Sequence, residues 1–179
     1  MEPDSTSNYE FSFGPHTYLV NFDQIERVSK EIQKRLGVDD YELSVDFPSP
    51  EEMRKLNQEY RDKDKSTDVL SFPQQDFDPP PTVESPFRNV DPTDGPPRLL
   101  GDLAISLVDA EENAKNIGQS LDREVCFLLV HGILHLCGHD HLDVEEEHIM
   151  LAQQRMIMEA LEEGEPPSRV WAHCARSKA

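Results

Sequence analysis

The chain has 179 residues, of which 36% are hydrophobic, and a formal net charge of −19 at neutral pH. This length suits a single domain with its own core, and the apolar runs are too short to span a membrane. The charge argues against nucleic-acid binding over the whole surface, because lysine and arginine normally supply the phosphate contacts. A local basic patch remains open, since Arg54, Lys55, Arg61, Lys63 and Lys65 lie close together in sequence.

The ends of the chain and its cysteines predict domain limits and compartment. The first residues lack the basic region and apolar core of a secretory signal. Three cysteines without such a signal favour a reducing compartment, so we expect the cytoplasm. We predict a disordered tail over residues 1–16, a folded domain over 17–164 and a flexible tail over 165–179.

The first half of the folded region predicts two strands and two helices. A short strand is expected over 17–20, followed by a helix that Asp23 caps and Gly37 ends. Alternating apolar residues predict a half-buried strand over 43–47. Ser49 then caps a second helix, with proline at its first position.

The second half begins with a strand over 68–72 and continues, after a proline-rich surface loop over 73–98, with a strand over 99–107. Helices are expected over 108–117 and 125–136. The latter is apolar almost all round and should therefore be buried.

A last helix, opened by Asp143, completes the predicted elements. We expect a single α+β domain in which a small mixed sheet of about four strands packs with about five helices.

The most informative segment is the run His131-Gly-Ile-Leu-His135-Leu-Cys-Gly-His139-Asp-His141 at the end of the buried helix. Histidines four residues apart lie on one face of a helix, so His131 and His135 can reach the same ion. Gly138 allows the chain to turn back and bring in His141. Three imidazole ligands with one open position are typical of catalytic zinc, so we predict one Zn²⁺ here. Helix-terminal cations favoured by the macrodipole would explain one or two of these histidines, but not the whole pattern.

The residues around this triad leave several roles open. His139 can be a ligand, a partner of a ligand or a substrate-facing residue, and Asp140 can orient an imidazole or cap the turn. Cys137 is interpreted as a packing residue. Gly132 stands where an HExxH protease carries its glutamate base, so ordinary peptidase chemistry would lack its proton acceptor.

Three motifs in order resemble the YbeY family of endoribonucleases. They are the histidine run, the stretch Asn57–Arg61 through Thr67–Pro73, and the segment Leu100–Ser106. The likeness covers roughly residues 17–162. Position 139 is often tyrosine in that family, and the proline-rich segment is longer than usual.

The resemblance implies a single-domain α+β fold with one zinc held by His131, His135 and His141. It also implies cleavage of single-stranded RNA, in 3′-end maturation of small-subunit (16S) ribosomal RNA and in ribosome quality control. The expected partners are therefore ribosomal RNA, the small ribosomal subunit and its associated proteins.

The resemblance also assigns candidate roles outside the histidine run. The family's functional arginine corresponds to Arg61, whose guanidinium could clamp a phosphate; the alternative is a surface ion pair. Thr67, Asp68 and Ser71 either line the cleft or serve turn and strand chemistry.

Two other functions fit the same residues. One is a different metallohydrolase, such as a peptidase or amidohydrolase. The other is a ribosome-associated assembly factor whose metal is structural, although structural zinc normally has a fourth protein ligand.

Overall fold

The computed structural model describes residues 8–88, 98–163 and 174–178, and within them five helices and six strands. The strands are β1 (Asn8–Phe13), β2 (His16–Asn21), β3 (Glu42–Asp46), β4 (Val69–Pro73), β5 (Leu99–Ile105) and β6 (Ala175–Ser177). The helices are α1 (Phe22–Leu36), α2 (Pro50–Arg61), α3 (Leu107–Ile117), α4 (Leu121–Leu136) and α5 (Val144–Leu161). The predicted single α+β domain with about five helices is confirmed.

Most predicted helix ends are found, but the start of α1 is a correction. The side chain of Asn21, in extended conformation, accepts a hydrogen bond from the Gln24 backbone N–H at 3.1 Å. Asp23, the predicted cap, already lies inside the helix. Ser49 and Asp143 cap α2 and α5 as expected.

The strands form two three-stranded sheets instead of the one predicted sheet of about four. One has the order β1-β2-β6 with antiparallel neighbours. In the other, of order β3-β5-β4, β3 runs parallel and β4 antiparallel to β5. Short strand pairs and a β-bulge give only a weak alternation of apolar residues. The sequence therefore did not predict that the strands divide into two sheets.

The two predicted tails are corrected where the structure describes them. Strand β1 falls in the predicted N-terminal tail and pairs along its whole length with β2, while its Phe11 and Phe13 pack against the core. Strand β6 falls in the predicted C-terminal tail and pairs with the other edge of β2, with Cys174 and Ala175 buried. The burial of these apolar side chains offsets the cost of ordering both segments. Residues 1–7, 164–173 and 179 lie outside the described chain.

The proline-rich segment is irregular, as predicted, but its first part is packed against the domain. Phe77 is buried, and its ring meets Tyr41 and Phe87 edge-on at centroid distances of 5.8 and 5.1 Å. The Phe87 backbone N–H donates to the carbonyl of Leu36 at 2.9 Å. Residues 89–97 are not described. The described part therefore forms a fixed wall of the domain.

Helix α4 lies at the centre of the fold, as its apolar sequence predicted. It contacts α1, α3 and α5 as well as strands of both sheets. Gly132 makes the closest approach, because a Cβ there would lie 2.7 Å from Cδ2 of Leu103 on β5. Within the described residues, no helix has both the length and the apolar character needed to cross a membrane.

Candidate metal centre and cleft

Three histidine side chains converge at the end of α4. His131 and His135 lie on the last two turns of this helix, and His141 lies in the segment that joins it to α5. The Nε2 atoms of His131 and His135 are 3.1 Å apart. One ring nitrogen from each of the three residues lies within 4.8 Å of the other two. We call these residues the histidine centre; the predicted triad is thus brought together.

The turn after α4 explains how His141 reaches the other two. Gly138 has φ +96°, a conformation that favours glycine. The His139 backbone N–H donates back to the Leu134 carbonyl at 3.0 Å, closing the helix end. Asp140 then accepts a hydrogen bond from the His141 backbone N–H at 2.8 Å. Of its two predicted roles, Asp140 therefore has the turn-capping contact.

The second ring nitrogen of His131 has its own partner. Nδ1 lies 3.0 Å from Oε1 of Gln154, a buried residue of α5. An amide oxygen accepts hydrogen bonds, so this contact favours the proton on Nδ1 and leaves the Nε2 lone pair facing the centre. Partners of this kind are typical of histidines that ligate metals.

Burial favours the neutral form of His135, whose ring nitrogen has a lone pair available for a metal ion. Desolvation, together with the neighbouring His131 and His141, lowers the pKa of His135 to about 4 against a smaller opposing effect of Asp140. His135 is therefore neutral near pH 7, which is the form that binds a metal ion.

The donor set fits a metal ion with an open position. Two nitrogens bound tetrahedrally to zinc at about 2.0–2.1 Å lie roughly 3.4 Å apart, close to the observed separation in the helix pair. Three neutral imidazoles also suit nickel, copper and iron. His141 is exposed, so the centre opens to solvent, unlike the closed sites of structural zinc. The histidine centre can therefore bind a metal ion.

A cavity of about 550 Å³ opens beside the histidine centre. Arg61 from the end of α2 and Ser71 from β4 line it together with His135, His139 and His141. Asp140 lines it too. We call this cavity the cleft.

The alternative role of Arg61, a surface ion pair, is not realised among the described residues. No carboxylate in that part of the chain lies within ion-pair distance of its guanidinium. Arg54, on the same helix, contrasts with it by donating two hydrogen bonds to Asp64 at 2.6 and 3.0 Å. Arg61 thus keeps its donors available at the wall of the cleft.

Thr67 and Asp68 do not line the cleft. Asp68 Oδ2 instead accepts a hydrogen bond from Nδ2 of Asn113 on α3 at 3.0 Å. It belongs to a group of polar side chains between the β4 entry and the starts of α3 and α4, which we call the acid network: Ser66, Asp68, Ser106, Asp109, Asn113 and Glu124. For Asp68 the turn-and-strand role is the one that the contacts support.

The contacts of His139 and Cys137 support roles other than binding a metal ion. His139 is only 5% exposed, and its Nε2 contacts the carbonyl of Pro81 at 2.7 Å. It therefore fastens the proline-rich wall to the end of α4. Cys137 is buried among apolar residues, which raises the pKa of its thiol to about 12 and agrees with packing.

A small α+β domain with three converging imidazoles beside an arginine-lined cleft can support metal-dependent hydrolysis. The family model of Endoribonuclease YbeY matches residues 19–162. The chain therefore belongs to the YbeY endoribonuclease family, and the predicted resemblance and enzyme class are confirmed.

Two sequence relatives agree with this assignment. Endoribonuclease YbeY of Halalkalibacterium halodurans is 42% identical over 127 residues, covering 71% of this chain and 76% of that protein. Endoribonuclease YbeY of Staphylococcus aureus is 40% identical over 156 residues, covering 85% and 96%. A solution structure from Thermotoga maritima is 24% identical, with a TM-score of 0.49 and coverage of 82% and 89%.

Proposed function

We propose that this protein is a zinc-dependent endoribonuclease that cleaves single-stranded RNA in the cleft. The observation that carries the proposal is that Arg61 lines one cavity together with His135 and His141, two members of the histidine centre. Its biological substrate would be small-subunit (16S) ribosomal RNA, at 3′-end maturation and in ribosome quality control, with the small ribosomal subunit and its proteins as cytoplasmic partners. This assignment rests on family membership.

The residues of the cleft divide the work. His131, His135 and His141 would hold the ion, which supplies Lewis acidity and a water of lowered pKa when bound. Arg61 presents a planar set of N–H donors that matches the oxygens of a phosphate and can stabilise charge developing there. Gly132 offers no side-chain base, so proton transfer does not follow the HExxH pattern.

The shape of the substrate follows from the cleft. Its volume of about 550 Å³ gives room for a phosphate and part of a nucleotide from an extended strand. Unpaired RNA can splay its bases and bring one phosphate into such a space. Single-stranded segments are therefore the substrate that this geometry favours.

Two routes of cleavage are distinguished by their products. Attack by water breaks the phosphodiester directly and leaves a linear phosphate. Attack by the neighbouring 2′-OH instead forms a 2′,3′-cyclic phosphate and expels the 5′-oxygen of the next nucleotide, which takes up a proton. A cyclic product excludes direct attack by water, and cleavage of DNA excludes a required 2′-OH.

The test is cleavage of a labelled single-stranded RNA by zinc-loaded protein. Wild-type activity should be lost with a chelator, in His135→Ala and in Arg61→Ala. Arg54→Ala is the matched control, because Arg54 lies on the same helix but pairs with Asp64. Equal activity in all variants would indicate a contaminating nuclease and contradict the proposal. Turnover of amide substrates with RNA untouched would favour a different metallohydrolase.

A further inference from the structure

Two tyrosines on the surface have nearly the same local geometry. Tyr60 is 61% exposed and meets the ring of Phe72 edge-on, with centroids 5.0 Å apart and planes at 71°. Tyr9 is 57% exposed and meets Phe22 edge-on at 5.1 Å and 83°. Each contact fixes a ring and leaves much of its surface in water. The two tyrosines differ in what lies beside them.

Tyr60 lies beside the rim of the cleft at the end of α2. Its neighbour Arg61 at the end of α2 lines the cleft. Its ring partner Phe72 lies on β4 between Ser71 and Pro73, and both of these line the cleft as well. Successive side chains of a strand point to opposite faces, so Phe72 and the Tyr60 ring lie on the α2 face of the edge strand β4, and Arg61 links this face to the cleft. Tyr9, on β1, has no such neighbour among the residues that line the cleft.

We propose that Tyr60 is a base-stacking subsite, which takes an unpaired nucleobase of the RNA strand while Arg61 holds a phosphate. The proposal rests on the endoribonuclease function proposed above. An edge-on contact with Phe72 covers at most one face of the tyrosine ring. The remaining face can stack any of the four bases, because every base has a flat π-surface. Contact with the strand would then be tolerant of sequence.

The charge around Tyr60 suits an RNA strand better than a peptide or an apolar ligand. Lys63 and Lys65, both exposed, follow Arg61 within a few residues. Residues 54–65 carry five basic and three acidic side chains, a net charge of +2, whereas the chain as a whole carries −19. Basic side chains interleaved with an aromatic ring are the usual composition of single-strand binding surfaces.

The exposure of Tyr60 alone does not indicate a function, since single exposed aromatic residues are normal on protein surfaces. Tyr9 represents that case, because it has the same exposure and the same kind of ring contact. A difference between Tyr60 and Tyr9 variants therefore measures what the cleft adds. The Tyr9 variant controls for the general effect of removing an exposed tyrosine that packs against another ring.

The experiment measures kcat and KM for a short labelled single-stranded RNA. Tyr60→Ala and Tyr60→Leu should raise KM at least about fivefold, which corresponds to losing one base–aromatic stack. Tyr60→Phe should restore KM, because the ring and not the hydroxyl is used. Tyr9→Ala should match the wild type. Tyr60→Leu keeps an apolar contact with Phe72, so it carries the test if Tyr60→Ala is poorly folded.

A scan with single abasic nucleotides provides a readout that a merely structural role would not change. At one position relative to the cleaved bond, removal of the base should raise KM for the wild type and leave KM of Tyr60→Leu unaltered. Equal KM values for Tyr60→Leu and wild type on the intact RNA would overturn the subsite alone. A wild type that neither binds nor cleaves the RNA would overturn the proposed function, and the subsite with it.

Discussion

The histidine centre and the acid network are two polar groups in one small domain, and they are organised in opposite ways. In the acid network, Asp109 accepts hydrogen bonds from the hydroxyls of Ser66 and Ser106 at 2.7 and 2.5 Å. Asn113 likewise donates to Asp68. At the histidine centre, by contrast, one ring nitrogen from each of three histidines lies within 4.8 Å of the other two.

The difference distinguishes polar groups that stabilise the fold from polar groups that are arranged to bind a ligand. Buried polar groups that satisfy one another hold elements together, here the β4 entry and the starts of α3 and α4. Imidazole nitrogens that converge from three positions are arranged to bind a cation from outside. Changes in the two regions should therefore affect different measurements.

The largest effect is expected from the histidine centre itself. His135→Ala should abolish stoichiometric zinc binding, measured by competition with a chromophoric chelator. The loss should exceed the roughly 10–100-fold that removing a ligand's partner costs. The fold should persist, because His135 makes no contact that closes the core. Unfolding of the variant would show instead that the metal is structural.

A second effect tests the partner of His131. Gln154→Leu should weaken zinc binding about 10–100-fold, because the hydrogen bond that orients the imidazole is lost. Gln153→Leu is the matched control. Its side chain is also buried on α5, but it binds the Val83 N–H and the Glu84 carboxylate. Equal zinc affinities in the two variants would contradict a role for Gln154.

The acid network should respond in stability and not in metal affinity. Glu124 is 4% exposed, and Gln119 donates to its carboxylate. Glu124→Leu leaves the half-buried amide of Gln119 without this acceptor, so the free energy of unfolding should fall by about 1 kcal/mol. Chemical denaturation measures this change. An altered zinc affinity in a folded Glu124→Leu protein would erase the contrast between the two regions.

The same residue predicts a pH dependence. Burial raises the pKa of Glu124 above its usual value of 4.5, so the folded state binds this proton more tightly than the unfolded state. Its contribution to stability is complete below the unfolded pKa and is lost as the pH rises through the folded pKa. Wild type should therefore lose more stability than Glu124→Gln as the pH rises above the usual carboxyl pKa of 4.5. Parallel curves from thermal denaturation would contradict this.

The smallest effect concerns His139, which lines the cleft but makes a structural hydrogen bond. His139→Phe removes the hydrogen bond to the Pro81 carbonyl and should cost about 1 kcal/mol of stability. Amide exchange at Thr82, Val83 and Ser85 should become faster, because their loop is fastened there. Zinc affinity should stay unchanged; a large loss would identify His139 as a ligand.

The sequence predicted the histidine centre well because its geometry is local. A helical spacing of four and a glycine turn place three ligands within eleven residues, without help from the rest of the fold. Arg61 was found only through the family motif. Among the described residues Arg61 has no ion-pair partner, whereas Arg54 on the same helix pairs with Asp64, and this difference is invisible in sequence.

Gln154 and the edge strands were missed for a different reason. Gln154 lies on another helix, and the one signal for it is a polar residue between Met150 and Ile157 on the buried face of α5. Strand β6 has three residues and gains its partner from the far end of the chain. Contacts between distant segments leave little trace in local patterns.

That far-end partner sets an order of assembly. Tyr18 pairs with Ser177, so the first described sheet closes the longest loop of the chain and is completed by a strand of three residues. Such a pairing forms late, because loop closure precedes any gain from the contact. It should also open first, as a local fraying event. Helix α4, which carries two of the three histidines, packs against many other elements. The histidine centre should therefore stay intact when the β2–β6 pair opens.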